Sequence, residues 1–193
     1  MGTAFYATLS RMKHIHRWAL MRNTREENLC EHSQDVAVIA HALAVITNTH
    51  FGGHVDAGRC VLLALYHDAS EILTGDLPTP VKYDNPAIRD AYKQLESVAN
   101  QKLLSMLPQE LRDSYAPYFE EDSESDEYRL VKAADKLSAL IKCVEELAQG
   151  NQEFSEARRA TEEAVRRMNL PAVDYFLDEC LPAFSLTLDE QQR

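Results

Sequence analysis

The chain has 193 residues, 45% hydrophobic and 26% charged, which suits one soluble domain, 1–193, with a real core. Acids outnumber bases by 31 to 20, and a net charge of −11 excludes duplex DNA or RNA as a partner, while one metal and one arginine can still invert the local field for a small phosphate ester. Cys30, Cys60, Cys143 and Cys180 form no CxxC pair, and no 18-residue apolar run, signal-peptide pattern or myristoylation site is present, so a zinc ribbon, a disulfide framework and membrane association are excluded and a cytoplasmic protein is expected.

Nearly every segment reads as helix. A short helix is predicted over Ala4 to Met12, followed by a basic, irregular stretch from His14 to Arg25. Asn28 and Glu31 make a capping box, and His32, Val36, Ile39, Leu43 and Ile46 then recur on one helical face. Phe51-Gly52-Gly53 is a loop, and Asp56 caps a helix running through CVLLALYHDASEIL, apolar nearly all round and therefore expected at the centre of the fold. Gly75 stops it, and the two prolines of Asp76 to Pro80 prevent continuous helix.

Asn85-Pro86 opens the next helix, with Tyr92, Leu95, Val98, Leu103 and Met106 as its stripe. A shorter helix covers Gln109 to Phe119. The six acids among the eight residues Glu120 to Glu127 read as the solvated start of a helix, where negative charge suits the dipole. That helix reaches Gly150, with Leu130, Ala134, Leu137, Ile141, Val144 and Ala148 on one face. Helices around Gln152 to Met168 and Ala172 to Cys180 close the chain. The expected fold class is all-α, a multi-helix bundle.

Three helices carry polar residues where the pattern asks for apolar ones. His32 heads an apolar stripe, His67-Asp68 interrupts the most hydrophobic helix, and Asp135 adjoins the stripe between Ala134 and Leu137. Each alone is more often a hydrogen-bonded core or flank residue than a ligand. A carboxylate buried at Asp68, however, costs several kcal/mol (~) unless it is paired or bound to metal. Two imidazoles and two carboxylates form an oxygen–nitrogen donor set that suits an open site for manganese, cobalt, iron, nickel or magnesium better than structural zinc. Glu71 lies one turn, roughly 5.4 Å, beyond His67 and Asp68, where a carboxylate can act as general acid or base without being a ligand. Arg17 has the planar fork suited to phosphate, and Trp18 beside it is the only tryptophan.

The runs RWALMRN (Arg17 to Asn23), EHSQDVA (Glu31 to Ala37), YHDASEILTGDLPTPVKY (Tyr66 to Tyr83) and KAADKLSALIKCVEELAQGN (Lys132 to Asn151) resemble the bacterial 5'-deoxynucleotidases of the HD phosphohydrolase superfamily. The resemblance spans essentially the whole chain and departs at no position that the family uses. It implies an HD-type domain and metal ligands His32, His67, Asp68 and Asp135. It implies catalytic roles for Glu71, Arg17 and Asp76. Arg17 and Trp18 would meet phosphate and deoxyribose, with His32 and Asp68 bordering the substrate and Asp76, Leu77, Pro78 and Thr79 lining the nucleotide pocket.

The expected reaction is hydrolysis of deoxyribonucleoside 5'-monophosphates by a homodimer with one divalent transition metal, cobalt, manganese or similar. Rival readings are cyclic-nucleotide or nucleoside triphosphate hydrolysis, or a catalytically dead nucleotide-binding regulator. The remaining histidines, His14, His16, His41, His50 and His54, match nothing catalytic and are expected at the surface or in loops.

Overall fold

The computed structural model describes residues 2–82, 85–120 and 122–192; the side chains of Thr79 and Pro80 lie outside the description. The fold is all-α. Among the described residues the only β-type pairing is one isolated antiparallel bridge between His16 and Asn28. The helices are α1 (Phe5–Leu9), α2 (Leu29–His50), α3 (Ala57–Tyr66), α4 (Glu71–Thr74), α5 (Thr79–Lys82), α6 (Pro86–Ser105), α7 (Gln109–Tyr115), α8 (Asp126–Ala148), α9 (Ser155–Arg166), α10 (Pro171–Glu179) and α11 (Leu188–Gln191). Short 3-10 turns follow α1 and α7, precede α9 and separate α10 from α11. No helix among the described residues is long and apolar enough to cross a membrane.

The chain forms two compact units. The first comprises Met1–Met21, Glu26–Gln34 and Leu65–Glu121. Its core is Phe5, Ala69, Leu103, Leu107 and Phe119, with Tyr66, Tyr115 and Tyr118 packed around it. Phe5 meets Tyr115 edge-on at 5.3 Å between ring centroids, and Tyr66 lies 5.2 Å from Phe119. Aromatic pairs of this kind add about 0.5–1.5 kcal/mol beyond their buried area. Tyr66 and Ala69 bracket His67-Asp68 in sequence, so this core clamps that dipeptide from both sides.

α6 begins where the sequence places it, with the Asn85 side chain accepting from the Ile88 N–H at 3.0 Å. Its buried face is Tyr92, Ala99 and Leu103; the predicted stripe members Leu95 and Val98 are exposed. The half-buried Glu96 lies between Tyr92 and Ala99 on that face, tied to Lys82.

The second unit comprises Arg22–Arg25, Asp35–Ala64 and Asp122–Arg193. The body of α2 buries Val36, Ile39 and Leu43 as the periodicity requires, each side chain contributing about 1.5–3 kcal/mol. Asp56 caps α3 through its carboxylate, which accepts from Arg59 N–H at 2.9 Å. α3 buries Cys60, Leu63 and Ala64 but exposes Leu62 and Leu65, so it is one-sided, not buried all round as expected. Ser125 caps α8 by accepting from Tyr128 N–H. α8 buries Leu130, Ala134, Leu137, Ile141 and Val144, leaves Ala148 exposed, and packs most extensively on α9. All four cysteines are free thiols. His14, His16, His41, His50 and His54 are all exposed, as anticipated.

Candidate active site

The predicted continuous helix through CVLLALYHDASEIL is broken at the residues of interest. α3 ends at Tyr66 and α4 starts at Glu71. Between them the backbone tightens into i→i+3 bonds, with Ala69 N–H donating to Tyr66 C=O and Glu71 N–H to Asp68 C=O, both at 3.0 Å. A 3-10 turn rises faster than an α-turn and rotates successive side chains further. Glu71 therefore stands on a new helix segment beyond His67 and Asp68, not one turn along the same one. Gly75 ends α4 at φ +77°, a conformation that favours glycine.

A second backbone device sets Arg17 beside the start of α2. Arg17 N–H donates to Glu27 C=O at 2.9 Å, and Leu29 N–H donates to Ile15 C=O at 3.0 Å, flanking the His16–Asn28 bridge. Asn28 then caps α2 by accepting from the N–H groups of Cys30 and Glu31, so His32 falls in the first turn, fully buried. Trp18 has φ +58°, the left-handed region, which costs a bulky residue roughly 1–2 kcal/mol. Such strain concentrates at functional sites.

The side chains so placed converge. Asp68 Oδ2 lies 3.5 Å from His32 Nε2, 3.1 Å from His67 Nε2 and 3.4 Å from Arg17 Nη1. The two imidazole rings are 5.3 Å apart. Behind them Glu27 Oε1 accepts from Arg17 Nε at 3.0 Å and lies 3.5 Å from His32 Nδ1. Burial pushes the Asp68 carboxyl up, but the charges and hydrogen bonds of His67 and His32 outweigh it and hold the group well below the usual carboxylate range.

Glu71 is buried, and its Oε2 has no hydrogen-bond partner among the described residues. Burial, then the charges of Asp68 and Asp76, push its carboxyl up to about 9 against the pull of Arg17 and Lys82. Asp76 is half-buried and raised by the same causes, burial first, with Arg17 opposing. Arg17, Asp68, Glu71 and Asp76 thus act on one another electrostatically as one group.

The structure accordingly brings together Arg17, His32, His67 and Asp68 by direct approach, and Glu71 and Asp76 by charge. Trp18, Leu77 and Pro78 are half-buried; the Thr79 side chain lies outside the described residues. Asp135 stands half-buried on α8 of the second unit, next to the fully buried Ala134. Two participants escaped the sequence reading. Glu27 sits just past the irregular basic segment and before α2, where no periodicity marks it. Lys82 donates to Glu96 at 2.8 Å and lies 4.4 Å above the Tyr92 ring; only its place just past the Asp76 turn could have flagged it.

The donor set can be tested for metal by its chemistry. Two imidazole nitrogens and a carboxylate oxygen drawn toward one point, with the second nitrogen of one imidazole facing a carboxylate, is the arrangement that metal-ligating histidines adopt. No thiol joins it. The residues fit a divalent metal.

Comparison with known proteins agrees with this geometry. The family described as 5'-deoxynucleotidase YfbR-like matches residues 4–184. The 5'-deoxynucleotidase YfbR of Escherichia coli is 55% identical over 187 residues, covering 96% of this chain and 94% of that protein. Among solved structures, an HD-domain phosphohydrolase from Listeria innocua superposes with a TM-score of 0.81 at 26% identity, over 97% of this chain and 91% of that one. The HD phosphohydrolase DatZ of cyanophage S-2L, solved with dA and one catalytic Zn2+, shares the fold at a TM-score of 0.62 and 19% identity, over 91% of this chain and 95% of that one. With the family match running nearly end to end and a relative identical at more than half of its positions, the chain belongs to the 5'-deoxynucleotidase YfbR-like family, built on the HD phosphohydrolase fold.

Proposed function

We propose that this protein is a metal-dependent 5'-deoxynucleotidase that hydrolyses deoxyribonucleoside 5'-monophosphates to deoxynucleoside and phosphate. The observation that carries the reading is the convergence of His32 Nε2, His67 Nε2 and Arg17 Nη1 on Asp68 Oδ2, in a member of the YfbR-like family. A donor set lies beside a phosphate-binding fork.

His32, His67, Asp68 and Asp135 are the proposed ligands. Two imidazoles and two carboxylates make an oxygen–nitrogen donor set whose chemistry suits a divalent ion. When bound, such an ion polarises a phosphoryl oxygen and lowers the pKa of a coordinated water. The chain's own residues do the rest. Arg17 is held at Nε by Glu27 and at Nη1 by Asp68, which aims its planar guanidinium fork, suited to phosphate oxygens, at the donor set. Glu71, buried with its Oε2 unpaired, moves a proton at that oxygen, and Asp76 shares its field. Trp18 packs on the deoxyribose, and Leu77, Pro78 and Thr79 line the nucleotide pocket. Cobalt or manganese as the metal, a homodimer as the working form and the cytoplasm as its place belong to the same reading, supported by family membership and by the oxygen–nitrogen donor set.

The test is phosphate release from a panel of deoxy- and ribonucleoside mono- and triphosphates and cyclic nucleotides, after chelation and re-addition of cobalt, manganese, magnesium or zinc. Deoxyribonucleoside monophosphates should be the preferred substrates. Asp68→Ala should lose both bound metal, by elemental analysis, and activity. Preferential hydrolysis of triphosphates or cyclic nucleotides would overturn the substrate assignment. Normal metal content in Asp68→Ala would overturn the ligand assignment.

A further inference from the structure

We infer that Glu27 is a positioning residue that orients a metal ligand and the phosphate grip together. The inference rests on the function proposed above. One oxygen of Glu27 serves both groups: Oε1 accepts from Arg17 Nε at 3.0 Å and lies 3.5 Å from His32 Nδ1. The carboxylate is largely shielded from water, with a side-chain exposure of 14%, against 83% for its neighbour Glu26. Its backbone is fixed too, since Glu27 C=O accepts from Arg17 N–H and the adjoining Asn28 caps α2. Neither end can swing away without breaking the antiparallel pairing at the bridge.

The consequence for His32 follows from the two nitrogens of imidazole. A carboxylate facing Nδ1 favours the proton there and leaves the lone pair on Nε2, the nitrogen that faces Asp68 Oδ2. It also restricts rotation of the ring. For Arg17, the bond at Nε sets the guanidinium plane, which directs Nη1 toward Asp68. A lone ion pair at the surface contributes little. Here one carboxylate holds two converging groups at fixed separation, so its removal disorders both at once.

The experiment compares wild type, Glu27→Gln, Glu27→Ala and the control Glu26→Ala. Metal affinity is read first, without substrate, by titrating the chelated protein with Co2+ and following the cobalt absorption spectrum. Steady-state kinetics on a deoxyribonucleoside monophosphate follow, at metal concentrations that saturate each variant. Loss of an outer partner to a ligating histidine typically weakens metal binding by ~10–100-fold, and Glu27→Ala should fall in that range with an altered cobalt spectrum. At saturating metal its KM should stay raised, because Arg17 has lost its tether. Glu27→Gln, which keeps an acceptor but no charge, should lie between, and Glu26→Ala should match wild type. Circular dichroism and a wild-type melting profile separate these effects from unfolding, and the isosteric Glu27→Gln keeps the comparison open where the alanine variant fails to fold. Wild-type Co2+ affinity and spectrum in a folded Glu27→Gln or Glu27→Ala overturns the role of Glu27 alone. Failure of the wild type to bind Co2+ or release phosphate overturns the proposed function and this role with it.

Discussion

Glu146 offers the sharpest test of how the second unit is held together. It lies on α8, 1% exposed. Its oxygens accept from Thr24 N–H at 2.9 Å, Thr24 Oγ1 at 2.7 Å, Arg25 N–H at 3.3 Å and Asn151 Nδ2 at 2.8 Å, and from Lys142 Nζ. Lys142 is itself buried and donates also to Arg25 C=O. Burial pushes the Glu146 carboxyl up, but Lys142, Asn151 and Thr24 outweigh it and bring it down from 4.5 to about 2. At about 1.4 kcal/mol per pH unit, a fall of that size gives roughly 3–3.5 kcal/mol of stability at neutral pH. The independent expectation for breaking a buried pair at one partner is about 3–5 kcal/mol.

Glu146→Gln should therefore cost ~3 kcal/mol at pH 7, a fall in Tm of roughly 6–12 °C for a chain of this size. The sign of the pH effect is fixed. A carboxyl whose folded value is depressed stabilises fully above its unfolded value and loses that contribution as pH falls toward the folded one. The gap between wild type and variant should hold from pH 7 to 4.5, close below that, and vanish near pH 2. Urea unfolding of both proteins across that range measures it. A gap under about 1 kcal/mol at pH 7, or one that stays constant down to pH 3, would refute the ion-pair account of Glu146.

Two substitutions probe the chemistry. Glu71→Ala should retain metal by elemental analysis while kcat falls by at least ~10²-fold, as removal of a general acid or base does; loss of the metal would make Glu71 a ligand or support instead. Trp18→Ala should leave metal content intact but narrow the kcat/KM gap between deoxyribo- and ribonucleoside monophosphates. An indole packed on C2' tolerates hydrogen there and rejects a hydroxyl by ~10² at most without steric help. An unchanged ratio in the folded, metal-loaded protein would move discrimination to the turn at Asp76 to Thr79.

The residues that the sequence marked and those it hid differ in one physical respect. A helical pattern assigns each position to core or solvent, so a polar residue on an apolar stripe is conspicuous. His32 is such a violation, heading a stripe whose Val36, Ile39 and Leu43 are all buried. His67-Asp68 is another, and so is Asp135 beside Ala134. Caps were legible for the same local reason: Asn28, Asp56 and Asn85 bond to N–H groups two or three residues on. The break of the helix after Tyr66 was not. The sequence there has no proline or glycine to mark a break, and the contacts at the turn are tertiary: Ala69 and Tyr66 pack in a core with Phe5, Leu103 and Phe119.

Lys142 and Glu146 show the limit from the other side. An i,i+4 Lys–Glu pair on an amphipathic helix satisfies the pattern as an exposed ion pair, the usual fate of such pairs. Here it is buried instead, because Thr24 and Arg25, more than a hundred residues earlier, deliver backbone N–H and C=O groups to it. Glu27 is hidden more completely, since it lies outside any helix and breaks no period. Its partner Arg17 is ten residues away across a pairing that rests on a single β-bridge. Local pattern detects a polar group that lacks a reason to be buried. It is silent about one whose reason arrives from elsewhere in the chain, and the residues that orient ligands without being ligands are of that second kind. Glu27 and Glu146 are therefore where substitution should reveal most that the sequence motif does not encode.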